Sequence, residues 1–336
     1  MSPTPLAGLR VLESGPLLPV PATGEALRRL GADVIRVEPP TGDPARRLYG
    51  GWLFELYGAD KASIALDLRR ADDAERLNGE IERADVVIVG HRPAAAARLG
   101  LDRASVRARR PAAVYCAIVG RASEDPDRDR PGHDLSFLAA CGALTEAAGP
   151  SAEGAAPHRP APPVGDLAAS AVATQAILAA LLTDDPGAYP IEVAIADCAA
   201  AFMAPRLGGH VDAGFGPALD PANDIYECAD GRWIAIAAIE PKFWTALVDR
   251  VFGDDPDIDG LRQLGSAERI ADRDAWAVRL SERFRGSPSD DWVDGLRAVG
   301  VPIDEVRTGA EYAATVGDDL DRWRDRANPL SGVWRD

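Results

Sequence analysis

Short apolar runs alternate with amphipathic stretches along the first half of the chain. Residues 9–13 read as a strand, residues 22–30 carry apolar positions at helical spacing, and residues 33–38 form a second strand after the Gly31-Ala32 stop. A strand–helix–strand unit of this kind implies parallel pairing. Residues 62–68 read as a third strand and 72–83 as a polar-faced helix. Residues 85–89 are apolar on both sides, as a strand covered on both faces must be. Short helices over 93–99 and 105–110 and a fifth strand over 113–119 complete a doubly wound α/β pattern. No G-x-G-x-x-G follows the first strand, so the dinucleotide fingerprint is missing.

A Pro/Ala-rich stretch leads to Gly165-Asp166 and then to one of the longest apolar helical segments, ending near Leu182. A strand at 191–195 and an Ala-rich helix from Asp197 follow, and a Gly/Pro/Asp-rich linker spans 211–221. Asp230-Gly231 between two strand-like runs, 225–229 and 232–237, predicts a short hairpin. Helices over 242–252, 272–284 and 290–299 come next, then Val301-Pro302-Ile303 and an apolar tail over 328–334 that is expected to dock. The expected architecture is a large α/β domain with a doubly wound parallel sheet over 1–190, with a C-terminal return at 318–336. A linker helix and loop cover 191–222, and a smaller α+β domain covers 223–310.

Composition narrows the function classes. The 336 residues are 46% hydrophobic and 27% charged, which fits a soluble globular protein and not a disordered one. Lys+Arg 37 against Asp+Glu 53 gives a net charge of −16, which argues against a general nucleic-acid or anionic-membrane surface. The four cysteines lie far apart with no C-x-x-C pair, so buried free thiols are expected, not a disulfide frame or zinc site. No charged and then apolar leader opens the chain, and the helix after Asp166 reads as too short and interrupted to span a bilayer. A cytoplasmic protein is expected.

Two helix starts carry the candidate chemistry. Asp166 follows Gly165, where an aspartate ordinarily serves as an N-cap, yet the apolar helix behind it would bury the carboxylate beside amides able to hold an oxyanion. His133, in Pro131-Gly132-His133-Asp134, heads another apolar run, with Asp134 placed to cap it. Of the other histidines, His158 and His210 are expected in solvent, and His91 follows a strand end. Glu240 sits between a strand and a helix, where the helix dipole favours an acid. Arg36, Lys61 and Arg92 stand near strand ends, and Arg46 and Arg47 follow the second strand. Each alone is ordinary surface solvation, but gathered at one sheet edge they would suit a phosphate-bearing ligand.

These residues in this order resemble the family III CoA-transferase (CaiB/BaiF) superfamily, which includes the α-methylacyl-CoA racemases. The resemblance rests on residues 5–12, 30–38 and 61–68, on Arg92-Pro93 with Arg98-Leu99-Gly100-Leu101, and on Val164-Gly165-Asp166. It covers most of residues 5–245. Gly132-His133-Asp134 and the stretch from Tyr226 to Arg232, with Ala238-Ile239-Glu240-Pro241, lean toward the racemase branch. The resemblance implies His133 and Asp166 as an acid/base pair, Glu240 as the group holding His133, and Arg36, Lys61, Arg92 and Arg46 near CoA. It also implies an interlocked homodimer. Coenzyme A would enter only as part of the acyl-CoA substrate, with no separate cofactor and no metal. Leu167-Ala168-Ala169-Ser170, where racemases carry a glycine-rich run, is closer to the transferases, and the acidic 120–125 loop and the short segment between Val316 and Asn328 also depart from the family pattern.

The leading expectation is therefore an acyl-CoA racemase working on a 2-methylacyl-CoA by two-base proton transfer through an enolate. With ordinary pKa values of about 3.9 and 6.5, Asp166 and His133 are weak bases, so burial and an oxyanion site at the helix start must assist. The alternative is a CoA-transferase with Asp166 as nucleophile. A third is a catalytically idle homologue that acts as a binding partner.

Overall fold

The structure is a computed structural model that describes residues 4–146, 157, 159–160, 162–211 and 220–327. Two compact units emerge from it: Met1–Ala147 with Pro157–Met203 and Asp318–Asp336, and Ala148–Ala156 with Ala204–Gly317.

In the first unit the elements run β1 (Arg10–Ser14), α1 (Pro19–Arg29), β2 (Asp33–Glu38), α2 (Trp52–Tyr57), β3 (Ala62–Ala65), α3 (Ala71–Arg83) and β4 (Val86–Val89). They continue with α4 (Pro93–Arg98), α5 (Arg103–Arg109), β5 (Val114–Val119), α6 (Asp134–Ala140), α7 (Ala143–Glu146), α8 (Val164–Leu181), β6 (Ile191–Ala194) and the start of α9 (Ile195–Val211), whose residues up to Met203 belong to this unit. The six strands form one parallel sheet in the order β3-β2-β1-β4-β5-β6. The strand expected at 191–195 is thus the sixth strand of this sheet.

Alternation along the strands divides the core into two layers. Val11, Val86, Ile88 and Val114 face α1 and α8, meeting Val20, Leu27, Ala169, Ala173 and Ile177. Leu12, Val87, Val89 and Tyr115 face the other way, toward Leu77, Ile81, Ala96 and Val106 on α3, α4 and α5. This double cover is why β4 is apolar at every position. With α8 spanning 18 residues at a mean hydropathy of 1.6, it is long and apolar enough to cross a membrane by length and composition, contrary to the sequence expectation. Ala168, Ala169, Ala173, Ile177 and Ala180 pack it into the core, and a helix apolar all round is what a buried core position selects.

Strand order reverses between β1 and β4, and ligands of open α/β sheets bind in the crevice beyond the carboxyl ends at such a point. A glycine follows each strand here, Gly15 and Gly90. A Cβ on Gly15 would come within 3.0 Å of the Gly90 backbone, so the close approach of the two chains requires glycine. At the far end of the sequence α16 (Leu320–Ala327) returns to this unit and docks on α2. Trp323 meets Trp52 edge to face at 5.7 Å, Arg324 bonds the Glu55 carbonyl at 3.0 Å and its carboxylate at 3.2 Å, and Asp325 pairs with Arg29 at 2.5 Å.

In the second unit a three-stranded antiparallel sheet, β7 (Ile225–Glu227), β8 (Trp233–Ile236) and β9 (Ile303–Glu305), packs with α10 (Pro241–Val251), α11 (Ile258–Gln263) and α12 (Ser266–Ala271). α13 (Arg273–Phe284), α14 (Ser289–Ala298) and α15 (Gly309–Val316) complete it. Trp244, Phe252, Trp276, Phe284 and Trp292 form its aromatic core. The β7–β8 hairpin is shorter in its strands and wider in its turn than Asp230-Gly231 predicts. The Asp230 carboxylate accepts from Arg232 N–H at 3.1 Å and from Ser289 N–H at 3.0 Å, which draws the turn toward the start of α14. His158, most of the predicted linker and the apolar tail lie outside the described residues.

Candidate active site

α6 and α8 bring two carboxylates together. Pro131-Gly132 keeps the chain extended up to His133, the N-cap of α6, whose own backbone is tied by Ser136 Oγ: it accepts from His133 N–H at 3.0 Å and donates to His133 O at 2.7 Å. Asp134 is then the first residue of α6, but its side chain reaches across to α8, where Oδ1 accepts from Asp166 N–H at 3.1 Å. A Cβ at Gly165 would lie 3.0 Å from that same oxygen and 3.3 Å from Ile195, so the glycine before the aspartate makes room for the contact.

This geometry corrects two expectations. Asp166 is not the N-cap of α8. Pro163 holds that place and Asp166 is the third helical residue. Nor are the first-turn amides all open to a substrate oxyanion. The anion already at this helix start is Asp134, and the Leu167 amide bonds Pro163 O at 3.1 Å. Burial and then the negative charge of Asp134 push the Asp166 carboxyl up to about 7. Near neutrality it therefore exchanges readily between carboxylate and acid, which suits either a nucleophile or a proton carrier.

Because α8 leads into β6, its first turn lies at the carboxyl edge of the sheet, beside the first turn of α1. Leu167 packs in one apolar cluster with Leu18, Ala22 and Tyr57, and Thr23 Oγ1 donates to Ser170 Oγ at 3.3 Å. The reactive aspartate thus stands next to the β1–α1 turn. At the crevice itself Ser14 Oγ and His91 Nε2 lie 2.9 Å apart, joining the ends of β1 and β4. Burial lowers the His91 pKa and favours a neutral imidazole.

The predicted cations divide sharply. Lys61 is buried, its ammonium donating to Glu13 at 2.9 and 2.7 Å and to Pro21 O at 2.7 Å, which uses all three donors. Arg36 is also buried, paired with Asp43 and 3.8 Å from Glu13. Burial raises the Glu13 pKa against the pull of Lys61 and Arg36, and burial likewise lowers that of Lys61 against the pull of Glu13. Arg46 grips Glu38 with two bonds, at 2.8 and 2.6 Å, and lies 3.8 Å over Phe54. Although burial works the other way, Arg46, Ser63 and the Asp43 amide together bring Glu38 down to about 2. Arg92 is exposed, as Arg46 is, but alone of the four has no ion pair among the described residues. It caps α4 at the carboxyl end of β4.

His133 is exposed at the head of α6, and the described contacts place its neighbour Asp134, not its ring, against Asp166. In the second unit, Glu240 is the exposed N-cap of α10, with its carbonyl accepting from Phe243 and Trp244, not a residue of the first turn. The sequence reading passed over Glu13 and Asp43. Glu13 had a signal, an acid directly after the apolar pair Val11-Leu12 of a predicted strand, whereas Asp43 lies in a Gly-Asp-Pro loop that looks like any surface turn. Among the described residues no group of three or more His, Cys, Asp or Glu side chains could hold a metal ion.

The sequence profile of CoA-transferase family III matches residues 6–320. This chain belongs to CoA-transferase family III. Among its family III relatives is the probable fatty acyl-CoA transferase Rv3272 of Mycobacterium tuberculosis, 29% identical over 331 residues, covering 88% of this chain and 81% of that protein. The (R)-2-hydroxy-4-methylpentanoate CoA-transferase of Clostridioides difficile is 22% identical over 320 residues, with 90% and 80% covered. A crystal structure of Rv3272 superposes with a TM-score of 0.82 at 28% identity, covering 94% of this chain and 86% of that one. A CaiB/BaiF family protein from Brucella suis gives 0.76 at 25% identity, with 95% and 88% covered. These family III relatives place the chain among enzymes that handle acyl-CoA substrates. They are named for transfer, and the racemase branch suggested by Gly132-His133-Asp134 finds no support in them.

Proposed function

We propose that this enzyme moves CoA between carboxylic acids, with Asp166 as the nucleophile. The observation that carries the reading is the half-buried carboxyl of Asp166 in the first turn of α8, held at the sheet's carboxyl edge by the hydrogen bond its backbone N–H donates to the Asp134 carboxylate. The transferase names of the relatives support it. In this reading the CoA portion of the substrate lies over the crevice beyond β1 and β4, within reach of the exposed Arg92, whose guanidinium suits a phosphate. The Asp166 carboxylate attacks the thioester carbonyl and expels CoA thiolate, leaving an acyl–aspartyl anhydride. The thiolate attacks the aspartyl carbonyl, releasing the first carboxylate and forming an aspartyl-CoA thioester. An incoming carboxylate attacks that thioester, and the freed thiolate takes the new acyl group, restoring Asp166.

Incubation with acyl-CoA and then hydroxylamine should leave a hydroxamate at Asp166, and Asp166→Ala should lower transfer by roughly 10³-fold or more. Transfer that survives Asp166→Ala would overturn the assignment. Asp166's position near neutrality, with His133 adjoining its partner Asp134, favours a second reading as an α-proton carrier in a racemase. The same preparation given 2-methylacyl-CoA in D2O separates the two. α-Deuterium incorporation lost in His133→Ala would favour the racemase, and a hydroxamate without exchange the transferase.

A further inference from the structure

The β1–α1 turn, Gly15-Pro16-Leu17-Leu18, crosses the mouth of the crevice in an unfavourable conformation. Leu17 has φ +68, a left-handed backbone that a γ-branched side chain seldom adopts without outside support. The support is Asp43. Both oxygens of its carboxylate accept from Leu17 N–H, at 3.4 and 3.3 Å, while Oδ1 also accepts from Ala45 N–H at 2.6 Å. Asp43 is itself fixed twice to β2. Its carboxylate pairs with the buried Arg36, and its own N–H donates to Glu38 at 2.7 Å. A continuous set of bonds therefore runs from the sheet through Asp43 to the strained turn. The next residue, Leu18, packs in the cluster that holds Leu167 beside Asp166.

We propose that Asp43 is a positioning residue. Anchored by Arg36, it holds Leu17 left-handed and so sets the course of the β1–α1 turn against the CoA portion of the substrate, next to the nucleophile. This rests on the reading that CoA lies over the β1/β4 crevice. Strain retained at a ligand-facing turn is the pattern expected where the surroundings over-determine the backbone. It also gives Arg36 its role: the buried guanidinium acts on the site through Asp43.

The test compares wild type, Asp43→Ala and the double variant Asp43→Ala/Leu17→Gly, with Asp43→Asn in place of Asp43→Ala if the latter does not fold. CoA binding is measured by calorimetry, and exchange of the Leu17 amide by NMR or mass spectrometry. Loss of the support should weaken CoA binding about tenfold, the scale of a bond to a charged group, and raise the KM for acyl-CoA more than it lowers kcat. The Leu17 amide should lose its protection. Glycine adopts the left-handed conformation unaided, so Leu17→Gly should return most of the lost affinity. Binding that is unchanged in the Asp43 variant, or a double variant as weak as the single, overturns the proposal. Wild type that binds no CoA would instead overturn the reading of the crevice. In that case the latch is still decided by the Leu17 amide, which must remain protected in wild type and lose protection with Asp43.

Discussion

Asp166 carries its burial as a stability cost that depends on pH. Its folded pKa of about 7 stands above the ordinary 3.8, so the native state binds this proton more tightly than the unfolded chain does. The contribution is fully present below about pH 4 and is lost as the pH rises through 7. Asp166→Asn removes the charge, so it should be more stable than wild type at pH 8 by up to ~4 kcal/mol, given about 1.36 kcal/mol per pKa unit; the gap should shrink to less than ~2 kcal/mol at pH 5 and close only below about pH 4. Urea midpoints at the two pH values check this, and a wild type as stable as the variant at pH 8 would contradict it. Transfer by wild type should rise between pH 6 and 8, as the nucleophile ionises. At this scale sequence and structure part company over partners. Gly165-Asp166 at the head of an apolar run pointed to a carboxylate that the structure half buries beside Asp134. Arg36 and Lys61 looked like solvated surface cations because nothing in their own stretches of chain points to Asp43 and Glu13 as partners; Glu13 lies 48 residues from Lys61.

Among the elements, the strands, the long helices and the short helices α4 and α5 were legible, and α2 was not. β2 keeps the bounds its pattern predicts, and β4 shows no alternation because both of its faces are covered. α2 was missed because Tyr49, Gly50 and Gly51 all take left-handed backbone before it and the helix has only six residues. Leu53, Leu56 and Tyr57 pack it against Leu18 and Ala22, and α16 covers its other side. The Trp323–Trp52 contact is an edge-to-face aromatic pair, while Arg324 holds Glu55 at a half-exposed site. Trp323→Ala should cost about 1–2 kcal/mol, from lost apolar area and the ring pair. Arg324→Ala should cost less than about 1 kcal/mol. Thermal unfolding of the two variants measures the difference, and a larger loss for the arginine would show that the clasp is ionic.

On the scale of the whole molecule, the fold class follows from pattern alone, since strand–helix alternation with a both-sides-apolar strand leaves little but a doubly wound parallel sheet. The net charge of −16 was a poor guide to the ligand: acidic groups outnumber basic ones, Arg36, Lys61 and Arg46 pair with internal carboxylates, and Arg92 makes no ion pair among the described residues. Racemase against transferase was not legible at this scale, because a branch of a family is distinguished by a few side chains around Asp166.

The return of α16 to the first unit has a consequence for the order in which the protein is made. Asp325 meets Arg29 across 296 positions, so the unit that emerges first from the ribosome is also the last to be finished. Gly317 ends the second unit before the closing helix has been synthesised, so that unit has all its residues while α2 and the Arg29 side of α1 still wait for their cover. Long-range closure of this kind is slow and leaves apolar surface open in the interval. Trp52 is the group most exposed to that delay, and a nascent chain halted at Gly317 should present it to chaperones.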